Sequence, residues 1–247
     1  MTEGAASPSA EELDLSLVVP VHNEAESLSI LWGEVAEVLA AGGWKAEVIF
    51  VDDGSTDRSP EELSAIARRD ARVRVIRFAA NAGLSAALAV GLGQARGRIV
   101  VTMDSDLQND PHEIPRMLDR LGEFDAVTGW RAGRQDPLLK RFASRVANAL
   151  RNRVTGDDVK DSACTLRAMH RRCVPDLVFF QGFHRFVPTL LRMAGHRVLE
   201  LPVSHRPRRY GASHFGIRNR AWRGLVDLLG VRWMQRRRLR YTILKEE

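Results

Sequence analysis

Asp104-Ser105-Asp106 sets two carboxylates two residues apart, directly after the apolar run IVVTM (99–103). Hard oxygen donors at that spacing can reach one divalent cation, and Gln108 can add a further oxygen. Such a cation would bridge two phosphates and neutralise the charge that builds on a departing diphosphate. The same pattern is common in solvated turns, so its weight comes from its place after a buried strand. A second acidic group, Asp52-Asp53-Gly54-Ser55-Thr56-Asp57, follows the apolar run EVIFV (47–51). Part of it is turn and helix-cap chemistry, with Asp57 or Ser55 able to cap the next helix. That does not account for two carboxylates at the end of a buried strand, which are costly there unless paired or hydrogen-bonded. A nucleoside hydroxyl or base edge would supply such a bond.

These groups need a frame, and the chain provides one. Strands are expected at 15–21, 47–51, 73–78 and 99–103, alternating with helices at about 25–41, 59–70 and 82–95. The alternation implies the α/β class: a mostly parallel sheet flanked by helices, with ligands beyond the carboxyl ends of the strands. His22-Asn23-Glu24, the Asp52 group, Asn81-Ala82-Gly83 and the Asp104 group all fall on that rim. Downstream, a strand is expected near 125–128, further segments at 163–169, a helix near 186–194 and a strand near 197–203. A basic amphipathic helix is expected over about 137–153. Its Leu138, Phe142, Val146 and Leu150 form an apolar stripe, beside an edge carrying Lys140, Arg141 and Ser144. It reads equally as an ordinary surface helix or as one that guides a lipid chain along the stripe and its phosphate to the basic edge.

The formal net charge of +6 and pI of about 10.0 favour an anionic partner. Arginines crowd the tail from Arg218 to Arg240, where Trp222, Leu225, Leu229 and Trp233 share one helical face. Basic residues beside aromatics suit an anionic membrane surface. Nucleic acid is the disfavoured alternative, because no helix-turn-helix, RNP or zinc-finger signature accompanies the charge. Cys164 and Cys173 lack metal-ligand spacing and read as reduced structural thiols of a cytosolic protein. The polar start has neither a basic n-region nor an apolar core, so residues 1–13 are expected to be a disordered leader. No apolar run approaches the roughly 20 residues that span a bilayer. The expected organisation is one catalytic domain over 14–215 and a basic amphipathic segment over 216–247, cytoplasmic and peripheral on the inner membrane face.

Read together, VVPVHNE (18–24), VDDGSTD (51–57), NAGLSAAL (81–88) and MDSDLQNDP (103–111) resemble glycosyltransferase family 2 with the GT-A fold. GWR (129–131), KRFASRVAN (140–148), DSACTLR (161–167), HRFVP (184–188) and RRYGASH (208–214) extend the resemblance to the polyprenyl-phosphate glycosyltransferases. That group includes the dolichyl-phosphate mannosyltransferases and bacterial undecaprenyl-phosphate sugar transferases. The match runs over about residues 15 to 230. It implies a metal-dependent, inverting hexosyltransferase that takes a nucleotide-diphosphate sugar as donor and a polyprenyl phosphate as acceptor. Pro20, His22, Glu24, Val51 and Asp53 would surround the nucleoside, with Ser105 also on the donor. Asp104, Asp106 and Gln108 would hold Mg²⁺ or Mn²⁺. Arg131 would stand near the donor diphosphate and acceptor phosphate, with Lys140, Arg141 and Ser144 on the acceptor side. Arg208 and His214 belong to a loop that closes over the diphosphate, where arginine's planar fork suits paired phosphate oxygens. Asp161 matches an aspartate near the sugar.

The chain departs from the family pattern at His22 (usually Tyr), Cys164 (usually Gly) and His214 (usually Lys), which weakens the expected contact at 214. An acceptor phosphate is already ionised, so it needs orientation and charge stabilisation and no general base. One rival is a family 2 enzyme acting on a saccharide hydroxyl, which would need Asp161 as base. Another is a nucleotidyltransferase, which usually shows a Gly-rich, Lys/Arg-bearing loop where this chain has PVHNEAES. A third is an inactive membrane scaffold, against which Asp104, Asp106, Arg131 and Arg208 argue.

Overall fold

A computed structural model describes residues 13–132, 148–207 and 217–238, with backbone alone for 217–223. Seven strands form one sheet: β1 (Leu15–Val21), β2 (Ala46–Asp52), β3 (Val73–Arg77), β4 (Ile99–Thr102), β5 (Ala126–Arg131), β6 (Arg167–His170) and β7 (Val198–Val203). Their order is β3-β2-β1-β4-β6-β5-β7. All neighbours pair in parallel except β6, which runs antiparallel to both β4 and β5. The sheet is therefore mostly parallel, as expected. The reversal has a consequence: β6 begins at the rim where the parallel strands end, with Arg167 opposite Thr102 and Thr128.

LSLVVPV and AEVIFVD are buried along their whole lengths, so both sheet faces must be covered. Side chains alternate between the faces. Leu17, Val19 and Phe50 pack under α1 (Ala25–Gly42) through Leu28, Leu31 and Val35. Val18, Ile49 and Val51 face the opposite way, toward α3 (Leu84–Gln94) with its Ala87 and Leu88. A Cβ on Gly91 of α3 would lie 2.3 Å from Val18 Cγ1, so only glycine lets the helix sit this close. On the α1 side, α2 (Ser59–Arg69) packs on α1 and β3.

The second half adds α4 (Ile114–Leu118), α5 (148–155), α6 (Val187–Ala194) and α7 (Ile217–Arg237). Short 3₁₀ turns flank α4 at Pro111–Glu113 and Asp119–Gly122. Of the helix expected over 137–153, the described part is α5. Leu138, Lys140, Arg141, Phe142, Ser144 and Val146 lie outside the described residues, as do residues 1–12 of the leader expected over 1–13. On α7, Leu228 and Val231 join the α3-side core, while Leu225, Leu229 and Trp233 stand exposed. Among the described residues, no helix is long and apolar enough to cross a membrane.

Candidate active site

The rim loops are knitted to each other by their own polar side chains. Asn23, with a left-handed φ of 56°, accepts bonds at Oδ1 from the Thr56 and Asp57 amides at 2.8 and 3.3 Å. Asp57 accepts from the Ala25 and Ser59 amides, capping α1 and α2 together. Burial pulls its carboxyl upward, but the Ser59 hydroxyl and those amide bonds hold it below the usual range. His22 sits at the junction, with Nδ1 2.9 Å from the Asp53 carbonyl. Glu24 donates its amide to Ser59 Oγ.

The two carboxylates after β2 find partners inside the chain. Asp52 is fully buried, accepting from the Ser55 amide at 3.0 Å and from Arg77 Nε at 3.1 Å. Asp53, 3% exposed, accepts from the Ala82 amide at 2.7 Å, the Gly83 amide at 2.9 Å and Asn81 Nδ2 at 3.0 Å. The bonds expected from a nucleoside thus come from Arg77 and from the start of α3. A negative carboxylate at the first amides of a helix is favourable on its own account. Val51, expected beside the nucleoside, has its side chain fully buried in the α3-side core, because strand alternation turns it to that face of the sheet. Pro20, also buried, is its partner across the ladder.

Beyond β4, the Met103 amide still bonds to Val18 O, and the chain then turns. Asn109, buried, accepts from the Asp104 amide at 2.9 Å and from Thr165 Oγ1 at 3.2 Å. Leu107 adopts φ 63°, unusual for a branched residue, and is buried. Ser105 and Asp106 are buried too, and Asp106 Oδ1 accepts from the Gln108 amide at 3.1 Å. Burial first, and the Asp106 charge second, push Asp104 up to about 6, against the pull of Thr165, Arg167 and Arg131. Two hard carboxylates crowded until one resists ionisation suit a divalent cation. Among the described residues no group of three or more His, Cys, Asp or Glu forms a closed cage. An open two-carboxylate site of this kind fits a cation such as Mg²⁺ that completes its shell from phosphates and water. Gln108, expected as a third ligand, turns its Nε2 toward Arg206 O and His205 Nε2, both at 3.4 Å. With the Arg206 amide donating to Gln108 O, it pins the acidic loop to residues 205–206.

Arg131 and Asp161 meet at the end of β5. Nε and Nη2 donate to Oδ2 and Oδ1 at 2.6 and 2.9 Å, and the Arg131 amide adds a bond at 3.2 Å. Burial pulls Asp161 upward, but the Arg131 bonds and charge outweigh it and leave the carboxyl below its usual range. Arg167, quoted within DSACTLR but given no role from sequence, is brought beside this pair by the antiparallel strand. It is 3% exposed, donates from Nη2 to the His184 carbonyl at 2.8 Å, and has no partner at Nε among the described residues. Burial lowers its pKa, while Cys164, Asp104 and Asp161 pull it up. The signal available in sequence was a single charged residue in the segment expected over 163–169, ACTLRAM. Both cysteines are free and buried, with thiols pushed up to about 11 by desolvation, and are chemically quiet. Arg208 and His214 lie outside the described residues, with Lys140, Arg141 and Ser144.

Comparison with known proteins adds to this geometry. The model of glycosyl transferase family 2 matches residues 16–178. A dodecaprenyl-phosphate galacturonate synthase of Rhizobium johnstonii is 36% identical over 236 residues, covering 93% of this chain and 70% of its own. An undecaprenyl-phosphate 4-deoxy-4-formamido-L-arabinose transferase of Edwardsiella ictaluri is 37% identical over 205 residues, covering 82% of this chain and 63% of its own. The chain thus spans under two thirds of the second relative. Among solved structures, glucosyl-3-phosphoglycerate synthase of Mycobacterium tuberculosis with Mn²⁺, uridine diphosphate and phosphoglyceric acid aligns at TM-score 0.68. The alignment has 19% identity and covers 90% of this chain and 78% of that one. At that identity the likeness speaks for the fold alone, which is of the GT-A kind.

Proposed function

The chain belongs to glycosyltransferase family 2, and from that premise we propose that it transfers a sugar from a nucleotide-diphosphate sugar to a polyprenyl phosphate, with inversion. The observation that carries the acceptor class is the Arg131–Asp161 pair. The carboxylate best placed to act as a base is doubly bonded to a guanidinium and held below its usual range. Such a group is a poor proton acceptor near neutral pH. A saccharide hydroxyl would need one, whereas a phosphate monoester is already ionised. The named activities of the relatives, which act on dodecaprenyl and undecaprenyl phosphates, support the same class.

In this reading Asp104 and Asp106 hold Mg²⁺ or Mn²⁺, with Gln108 at the edge of the shell. The cation, when bound, supplies charge neutralisation on the leaving diphosphate. His22, Glu24 and the Asp53-anchored loop, with Pro20 beneath them, line the nucleoside end of the donor, and Ser105 the diphosphate end. Arg131, fixed by Asp161, directs its remaining N–H groups to phosphate oxygens and orients the acceptor for in-line attack. Lys140, Arg141, Ser144, Arg208 and His214 complete the phosphate contacts. A lipid acceptor places the chain peripherally on the cytoplasmic face of a membrane. The catalytic domain is assigned to 14–215 and the membrane-facing segment to 216–247.

The test is incubation with a panel of UDP- and GDP-sugars, undecaprenyl phosphate dispersed in detergent, and Mn²⁺ or Mg²⁺. A glycolipid with one donor, lost on chelation, is the expected result. No glycolipid with any donor, while a control enzyme works, would overturn the proposal.

A further inference from the structure

Exposed apolar side chains are not scattered over this molecule. Leu150 aside, every large one strongly exposed among the described residues belongs to two segments: Val178 and Phe179, and Leu225, Val226, Leu229 and Trp233 of α7, at 40% to 63% exposure. The segments are distant in sequence but joined in space. Phe179 packs edge-on against Phe183 at 5.0 Å, and Arg185 pairs with Asp227 at 2.6 Å. Gly182, at φ 99°, lies so close that a Cβ there would stand 2.5 Å from Asp227 Oδ2. The 177–185 loop therefore meets α7 at Asp227, next in sequence to Val226, so that the loop and the outer face of α7 join along one edge of the protein. Residues 228–238 contain no acid and carry Arg232, Arg236, Arg237 and Arg238, of which the last three are exposed.

Resting on the reading above, we propose that this edge is where the protein inserts into a bilayer bearing anionic lipid. Val178, Phe179 and the outer face of α7 enter the acyl boundary, and the α7 arginines take headgroup phosphates. Exposed apolar side chains bordered by cations suit that surface. A second copy suits it poorly, since a self-complementary contact would bring like arginines together. The same loop reaches the rim of the site. Gln181 Nε2 donates to Ala82 O at 3.0 Å, and the Gly182 amide donates to Ser85 Oγ at 2.8 Å. Ala82 is also held by Asp53. Insertion at Val178 and Phe179 thus sets the Asn81–Gly83 rim at a fixed attitude to the membrane, which brings a membrane-borne phosphate to the mouth of the site.

The test is sedimentation of the full chain with phosphatidylcholine vesicles, with and without phosphatidylglycerol. Alongside it runs brominated-lipid quenching of tryptophan fluorescence. Wild type should bind the anionic vesicles, less so as salt rises. Val178→Ser/Phe179→Ser should weaken vesicle binding about fivefold or more, with UDP-sugar binding in the presence of Mn²⁺ unchanged. Arg236→Gln/Arg237→Gln should remove the preference for phosphatidylglycerol. Vesicle binding by the Val178/Phe179 variant equal to wild type would overturn the proposal. So would absence of wild-type binding, whether the chain is then a monomer or a dimer closed over this edge. Glycolipid formed in detergent without vesicle binding refutes the insertion and leaves the activity standing. Vesicle binding without glycolipid does the reverse.

Discussion

The Arg131 guanidinium and the Asp161 carboxylate meet through two side-chain bonds of 2.6 and 2.9 Å, at the end of β5 and with both groups largely buried. Each answers a need of the other. The carboxylate fixes the plane of the arginine, and the arginine keeps the carboxylate ionised where burial would protonate it. Asp161→Asn should therefore act through Arg131. Breaking a buried pair from one side should lower stability by about 3 kcal/mol, measured by urea unfolding. The ratio kcat/KM should fall through a higher KM for the acceptor, with the acidic limb of the pH–kcat profile kept. Disappearance of that limb in the variant would show that Asp161 is a base.

Asp104 gives a pH dependence of the opposite sign to that of a salt-bridged carboxylate. Its pKa rises from 3.8 to about 6 on folding, so the folded state without cation holds the proton more tightly. The stability this provides is present below about 3.8 and lost as pH rises through about 6. A divalent cation needs the ionised form, so the Mn²⁺-induced rise in melting temperature should be clearly larger at pH 7 than at pH 5. Asp104→Asn should raise the melting temperature of the metal-free protein at pH 7 and abolish its response to Mn²⁺. A response to Mn²⁺ independent of pH would show that Asp104 does not bind the ion.

Asp53 holds two amides at the start of α3 and the Asn81 side chain. Asp53→Ala leaves those buried donors unsatisfied and should cost about 3 kcal/mol. It should also raise the KM for the nucleotide sugar by loosening the rim. Asp53→Asn, which retains one acceptor oxygen, should recover part of both. Normal stability with lost donor affinity would assign Asp53 to the nucleoside alone.

Arg167 sits behind Asp104 and Asp161 as a buried cation whose Nε lacks a partner among the described residues. Its charge opposes a second cation nearby. Arg167→Met should bind Mn²⁺ about threefold or more tightly, measured by calorimetry, on the order of 1 kcal/mol, while turnover falls as the His184 carbonyl loses its donor. Weaker Mn²⁺ binding would show that Arg167 builds the site and does not balance its charge.

The first half of the fold was legible because its strands are continuous β-branched runs ended by polar residues. β1 begins and ends where the apolar pattern does, and β2, α2 and β3 shift by a residue. Legibility faded where local pattern carries less information. The segment expected over 163–169 is a strand at Arg167–His170, and nothing in its composition says that it runs antiparallel between β4 and β5. Val51 lies within VDDGSTD, and the motif does not say which helix layer its side chain packs against; the two-residue period of the strand sends it to the α3 side.

By itself, then, the sequence determined the chemical inventory. It set the acidic pairs after buried strands, the alternation that gathers four rim loops at one edge, and the arginines suited to phosphate. Those features follow from residue type and short-range periodicity, which a chain carries before it folds. Tertiary structure alone decided which of these groups have partners within the chain. Asp52 and Asp53 are bonded to Arg77 and the start of α3, Asp161 is bonded to Arg131, and Asp104 is crowded by Asp106. It likewise joined Phe179 to α7 through Phe183, Gly182 and Asp227. The reason is physical. A carboxylate's ionisation and an apolar side chain's exposure are set by atoms a few ångströms away, and here those atoms come from strands and loops far apart along the chain.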